Sequence, residues 1–181
     1  QTAAIERNEG VVFGRASRVI VTTQAMQQSV ASRYHVPVET VRIIPNYVET
    51  ERFAPQPTVA PVRGLLACVA RLEHQKNLPA LFEALRGQEA RLLLVGRGAL
   101  EEELRHRAAA GSIPVDFAGT IATQELPAKL ATAEAFVLPS LWEGHPKVLL
   151  EAMACGLPAI GADVPGIRDV IRHEETGILC P

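Results

Sequence analysis

Residues Glu143-Gly144-His145-Pro146-Lys147-Val148-Leu149-Leu150-Glu151-Ala152-Met153-Ala154-Cys155-Gly156-Leu157-Pro158 decide the reading of this chain. They spell one short helix with an acidic residue just before it and another inside it. Pro146 suits the first helical position, where a missing N–H costs nothing. Gly156 suits the position just past the end, and Pro158 prevents continuation. From Val148 to Ala154 every residue but Glu151 is apolar. A helix apolar all round is normally buried. A lone carboxylate on it needs a hydrogen-bond partner to offset desolvation, and that partner is either protein or the hydroxyl groups of a ligand.

The geometry of the segment favours a ligand. A helix N-terminus presents unpaired N–H groups and a partial positive charge, which together suit phosphate. Glu151 lies five residues past Pro146, roughly 7 Å along the axis at about 1.5 Å per residue, and its side chain leans back toward the start. A diphosphate at the helix start therefore leaves a ribose near Glu151, with Glu143 on the far side, near whatever the diphosphate carries. Lys147 in the first turn opposes the helix dipole, a conflict that a bound anion relieves. The alternative is a buried helix whose Glu151 pairs with an arginine and whose Lys147 points to water.

Working outward, the chain alternates apolar strands with helices. Strands are expected at 65–69, 91–95, 115–117, 135–138 and 158–161, and helices at 77–86, 99–109 and 124–131. That alternation predicts an α/β fold, a Rossmann-like parallel sheet with helices on both faces. Upstream, a helix is expected over 1–16, strands at 18–22 and 41–45, and a helix through about residue 33 capped by Thr23. Residues 54–61, Ala-Pro-Gln-Pro-Thr-Val-Ala-Pro, are the linker candidate. The start at Gln1 inside a helical pattern and the stop at Pro181 after Gly177-Ile178-Leu179-Cys180 are read as two cut ends.

Composition bounds the function. The 181 residues are 48% hydrophobic with a net charge of −2, which suits a globular domain and offers no basic, aromatic-laced stripe for nucleic acid. No run of about 18 apolar residues marks a spanning helix, and no signal-peptide pattern opens the chain. Cys68, Cys155 and Cys180 are odd in number and widely spaced, and read as reduced, buried cytosolic thiols. No ligand cluster for a metal is evident.

Further candidates fall where strands end, the usual place for ligands in open α/β sheets. Arg71 and Lys76 follow the strand at 65–69, and two cations at one strand end suit a diphosphate, Arg as a bidentate donor and Lys as a point charge. The bland alternative is a pair of solvated loop charges. Gly96-Arg97-Gly98 opens a helix after a strand, and glycines there permit close backbone approach. It is not a dinucleotide fingerprint, because Glu101 and Glu102 stand where the third glycine belongs. His106, among Glu101, Glu102, Glu103, Arg105 and Arg107, belongs to a solvated helix face. Trp142 is expected to pack under the site.

The segment 143–158 resembles the Glu-seven-residues-Glu motif of retaining GT-B glycosyltransferases, in particular the large fourth family (glycosyl transferases group 1). Members of that family commonly read E-G-x-P-x-V-L-L-E-A-M-A-C-G-x-P. The resemblance implies that Glu143 lies beside the donor sugar and that Glu151 binds the ribose hydroxyls. The backbone of Gly144, His145, Lys147 and Val148 would hold the diphosphate. Ala70-Arg71-Leu72-Glu73-His74-Gln75-Lys76 is similar to the family's G-R-L-x-x-x-K, which makes Arg71 and Lys76 phosphate ligands that steady the leaving diphosphate, with Ala70 in place of the usual Gly. Glu143, Arg71 and Lys76 are thus the catalytic candidates. Gly96 and Gly98 would lie beside the nucleotide, and Thr120 and Ile121 against the base. The loop 163–166 resembles one that shapes the donor-sugar pocket, with a plain turn as its alternative. Asn46 resembles part of a P-N-G-V-D hinge in which Tyr47 replaces the glycine.

The resemblance further implies a domain plan: residues 1–53 a remnant of an N-terminal GT-B domain, 54–61 a linker, and 62–181 a truncated nucleotide-sugar-binding domain. The donor would be a UDP-, GDP- or ADP-sugar, used without metal or other cofactor. A glycan or lipid-linked acceptor would bind mainly to the absent N-terminal domain, in the cytoplasm or at its membrane face, with peripheral membrane association of the parent. The isolated piece is expected to turn over little or nothing. The rival readings are a nucleotide-sugar epimerase of GT-B architecture, a dinucleotide-dependent oxidoreductase and a non-catalytic nucleotide-binding module.

Overall fold

Six largely apolar runs form the strands of one sheet, and their burial explains why. In the computed structural model, which describes residues 2–181, the strands Leu65–Val69 (β3), Arg91–Val95 (β4), Val115–Gly119 (β5), Ala135–Leu138 (β6), Ala159–Ala162 (β7) and Gly177–Cys180 (β8) build a six-stranded sheet in the order β5-β4-β3-β6-β7-β8. Every pairing is parallel. A parallel sheet must be covered on both faces, and two apolar clusters do this. On one face Ala67, Leu93, Phe136 and Leu138 meet Leu149 and Ala152 of the helix Lys147–Ala154 (α6) and Leu126 and Leu130 of Leu126–Leu130 (α5). On the other, Cys68, Leu92 and Leu94 meet Leu78, Leu81 and Phe82 of Leu78–Leu85 (α3) and Leu104 of Glu101–Gly111 (α4).

The strand order reverses between β3 and β6. The chain winds outward from β3 through β4 to β5, then returns to the other side of β3 and continues through β6 to β8. The loops leaving β3 and β6 therefore diverge to opposite faces and leave a crevice between them, the place where open α/β sheets bind ligands. Those loops are 70–77 and 139–146.

Residues Gln1–Asn46 form one compact unit and Tyr47–Pro181 another. The first holds the helices Thr2–Arg15 (α1) and Gln24–Tyr34 (α2) and a parallel strand pair, Val19–Val21 (β1) with Val41–Ile43 (β2). Thr23 caps α2 as expected, its hydroxyl accepting from Met26 N at 3.2 Å. Val19, Val21, Val36 and Val41 form its small core. The division between compact units falls ahead of 54–61. Phe53 is buried in the second unit's core, and Val62 N donates to Thr132 O at 2.8 Å, so the Pro-rich segment lies in the second unit.

Several local expectations are corrected. Helix α6 begins at Lys147, and Pro146 is its N-cap with an extended ψ of 108°. Helix α5 covers only five residues, and the short helix Pro165–Arg168 (α7) was not foreseen. The C-terminal end of α6 is as expected. Gly156 takes a φ of 86°, its N–H donates to Met153 O and that of Leu157 to Ala152 O, the hydrogen-bond pair of a Schellman cap.

Candidate functional site

Two strand-end loops are stitched together across the crevice. After β3, residues His74–Lys76 form a single 3-10 turn that Asn77 ends in the left-handed conformation, φ 48°. Asn tolerates that region, and the turn aims Lys76 inward. Gln75 O accepts from Leu141 N at 2.9 Å, and Gln75 Nε2 donates to Trp142 O at 2.8 Å. Lys76 Nζ then reaches Glu143 Oε1 at 2.5 Å. Ser140, fully buried, donates from Oγ to the same Oε1 at 2.7 Å. The two charged side chains are only 14% and 9% exposed. Such a buried pair is held in place because removal of either member leaves the other uncompensated.

Eight residues on, Glu151 sits differently. It is buried on α6, and its carboxylate stands 4.0 Å from Lys147 Nζ. Desolvation raises its pKa above the ordinary glutamate value, with Lys147 and Arg52 pulling the other way and Glu49 adding to the rise. Arg52 and Glu49 belong to Tyr47–Arg52, which lines an open pocket of about 510 Å³. Lys147 Nζ lies 5.5 Å from the centroid of the Tyr47 ring. The protein partner considered for Glu151, an arginine, is not what the fold supplies: the cation beside it is Lys147, which is half exposed rather than wholly solvated.

Gly144 and His145 carry the chain from Glu143 to the start of α6, and both are partly buried. No side chain caps α6. Leu149 N, the third amide, turns back to Pro146 O at 3.1 Å, so Lys147 and Val148 supply the leading N–H groups. Gly166 presses under this connection, and a Cβ there would collide with the carbonyls of Glu143 and Gly144. The loop 163–166 thus buttresses the segment from the β7 side.

Arg71, 68% exposed, extends at the crevice rim and pairs with Glu73 at 3.1 Å. Gly96 and Gly98 are explained by backbone contact. A Cβ on Gly96 would strike Ala70 O and one on Gly98 would strike Leu72 O, and Ala70 N→Val95 O and Leu72 N→Arg97 O, both 2.9 Å, zip the β3 and β4 loops together. Thr120 is exposed just past β5, and Ile121 packs with Val148 on the same apolar cluster. The Arg71, Lys76, Glu143, Lys147 and Glu151 positions therefore cluster about the crevice and α6, while Gly96, Gly98, Thr120 and Ile121 lie at the neighbouring strand ends. Trp142 is 56% exposed, against the expected packing beneath the site; its carbonyl is the group that Gln75 holds. Cys180 is exposed, unlike Cys68 and Cys155; burial pushes the Cys68 thiol up to about 12, which makes it inert. Ser140 and Gln75 were not singled out from sequence, and Gly166 was read only as part of the loop 163–166. Only the polar Ser140 directly after an apolar strand and Pro139 offered a signal.

Residues 50–181 match the family described as glycosyl transferases group 1. The chain belongs to that family. Among group 1 relatives, a GDP-mannose-dependent alpha-(1-6)-phosphatidylinositol monomannoside mannosyltransferase from Mycobacterium tuberculosis is 30% identical over 190 residues, covering 92% of this chain and 49% of that protein. Sucrose-phosphate synthase from Thermosynechococcus elongatus superposes with a TM-score of 0.87 at 26% identity, over 97% of this chain and 48% of the other. Anabaena HepE, in complex with UDP and glucose, shares the fold at a TM-score of 0.84 and 23% identity, over 96% of this chain and 53% of the other. The sheet and its flanking helices are thus those of GT-B glycosyltransferases, and the chain spans about half the length of the relatives it matches. Among the described residues no helix is long and apolar enough to cross a membrane.

Proposed function

We propose that this chain is the nucleotide-sugar-binding portion of a retaining glycosyltransferase of the fourth family, whose whole form moves a sugar from a nucleoside diphosphate to a glycan or lipid-linked acceptor. The observation that carries this reading is the Lys76–Glu143 pair spanning the switch-point crevice directly ahead of α6. The pair puts a fixed cation beside a helix N-terminus, and the two together stabilise negative charge that grows on a leaving diphosphate. Arg71, exposed at the rim, adds a bidentate phosphate ligand. Glu151 accepts the ribose hydroxyls, which supply the hydrogen bonds that its desolvated carboxylate favours. Glu143, with Oε1 taken by Lys76 and Ser140, faces the sugar as a fixed carboxylate.

Of the rival readings, the oxidoreductase loses its footing in the fold. A dinucleotide fingerprint belongs in the turn after the first strand of such a sheet. That strand is β3, and Ala70-Arg71-Leu72 follow it. The donor is a UDP-, GDP- or ADP-sugar, and the acceptor belongs to the rest of the protein, at the cytoplasmic face of a membrane when it is lipid-linked.

The test is calorimetric titration of the folded chain with UDP, GDP and ADP, beside Glu151→Ala and Arg71→Ala. Saturable binding of at least one nucleotide, weakened about tenfold or more by each substitution, is expected. A folded chain that binds none of the three overturns the donor-site reading. Incubation of the whole protein with nucleotide sugar but no acceptor separates transfer from isomerisation, since epimerised donor would favour the epimerase.

A further inference from the structure

Lys147 opens α6, where a cation opposes the helix dipole. Sequence alone leaves that conflict to a bound anion. The structure adds a second element, the ring of Tyr47, with the ammonium 5.5 Å from its centroid. Attraction between an ammonium and an aromatic face extends to about 6 Å. Tyr47 is 68% exposed, so its place is not explained by core packing. It stands at the position where the P-N-G-V-D pattern has glycine, the smallest residue. The same ammonium is 4.0 Å from Glu151 Oε1. The Lys147 ammonium therefore lies near both a ring face and a carboxylate, on a side chain that belongs to the first residue of α6.

We propose that Tyr47 is a positioning residue for Lys147: its ring seats the ammonium at the start of α6, facing the diphosphate of the bound donor. The assignment rests on the donor site argued above and deepens it. The ring face does three things. It limits the rotamer freedom of a long, half-exposed lysine and so reduces the entropy lost when phosphate binds. It offsets the unfavourable dipole without supplying an anion that would compete with phosphate. Because Tyr47 lies outside α6, it also ties the open segment 47–52 to the nucleotide. A phenylalanine retains the ring and preserves this effect, whereas a leucine has similar apolar bulk but no quadrupole.

The experiment is a double-mutant cycle on nucleotide affinity with Tyr47→Leu, Lys147→Ala and their combination, and Tyr47→Phe as the conservative control. GDP and UDP are titrated beside guanosine and uridine, which lack phosphate. Tyr47→Leu should weaken diphosphate binding about threefold, Tyr47→Phe should stay at the wild-type value, and the double variant should match Lys147→Ala alone. The nucleosides should bind all variants equally. Additive losses, equal losses in the Leu and Phe variants, or nucleosides losing as much as diphosphates would each overturn the role of Tyr47. If that happens while binding remains sensitive to Glu151→Ala and Arg71→Ala, the donor site stands and only Tyr47 falls. A wild-type chain that binds no diphosphate removes both.

Discussion

The two glutamates that bracket the start of α6 are eight residues apart and both largely buried, yet they are solved in opposite ways. Glu143 is completed within the protein. Lys76, 67 positions away, and Ser140, three away, both address its Oε1. Glu151 is left with a cation at 4.0 Å and a carboxyl whose pKa is raised by desolvation. A satisfied buried charge rigidifies its surroundings, whereas an incompletely compensated one is held at a cost that a ligand can offset. The first is a fixed element of geometry, and the second is an incompletely compensated carboxylate, the one the proposed function gives to hydroxyl donors. The comparison teaches that identical residue types in one motif divide their work according to what the rest of the fold brings to them.

The largest effect should come from breaking the completed end. Lys76→Met strands Glu143 and should lower stability by about 3 kcal/mol, the low end for one partner of a buried pair, measured as the shift in urea midpoint times the m-value. The paired variant Lys76→Met with Glu143→Leu should recover most of that loss while still binding diphosphate poorly. If Lys76→Met alone unfolds at the wild-type midpoint, the pair is not structural and the contrast with Glu151 collapses.

A smaller effect should follow from disturbing the same end through its backbone. Gly166→Ala places a methyl against the carbonyls of Glu143 and Gly144. The connection must shift, and overpacking of this kind costs about 1–3 kcal/mol. Thermal unfolding reads the loss, and nucleotide affinity should fall with it. An unchanged melting temperature would show that the 163–166 loop yields freely and does not buttress the site.

The open end should show itself through pH. Glu151 has a raised pKa in the folded state, so over the interval between the ordinary glutamate value and that raised value the native chain holds more protons than the unfolded one. Stability contributed by this group therefore falls as pH rises through that interval. Glu151→Gln removes the effect. Relative to wild type, the Gln variant should gain stability as pH rises above the ordinary glutamate value and show no gain below it, even as it loses nucleotide binding. A stability difference that is flat with pH would mean that the Glu151 carboxylate is fully compensated inside the protein.

Much of the fold was readable from local pattern. The strands at 65–69, 91–95 and 135–138 occur where expected, because short apolar runs flanked by turn residues have one stable use in a sheet buried on both faces. Gly156 ended α6 because only a residue at ease with positive φ closes that cap. Local pattern misplaced what neighbours decide. Pro146 is compatible with either side of a helix start, and the buttress from Gly166 accompanies its extended cap. Helix α7 is too short to show a period. Gln75 grips the Trp142 carbonyl, a contact between loops that no window of sequence contains.

By itself, then, the sequence determined the alternation of strands and helices, the family and the identity of the charged residues that cluster near α6, because each depends on local periodicity, turn chemistry or a contiguous motif. Only the tertiary structure decided which of those charges meet. Strand order brings β3 beside β6, and so Lys76 to Glu143. The packing of Tyr47–Arg52 beside α6 leaves Lys147 and Glu151 in a partial balance. Charge pairing depends on distance and desolvation, which are properties of the folded chain and not of any segment of it.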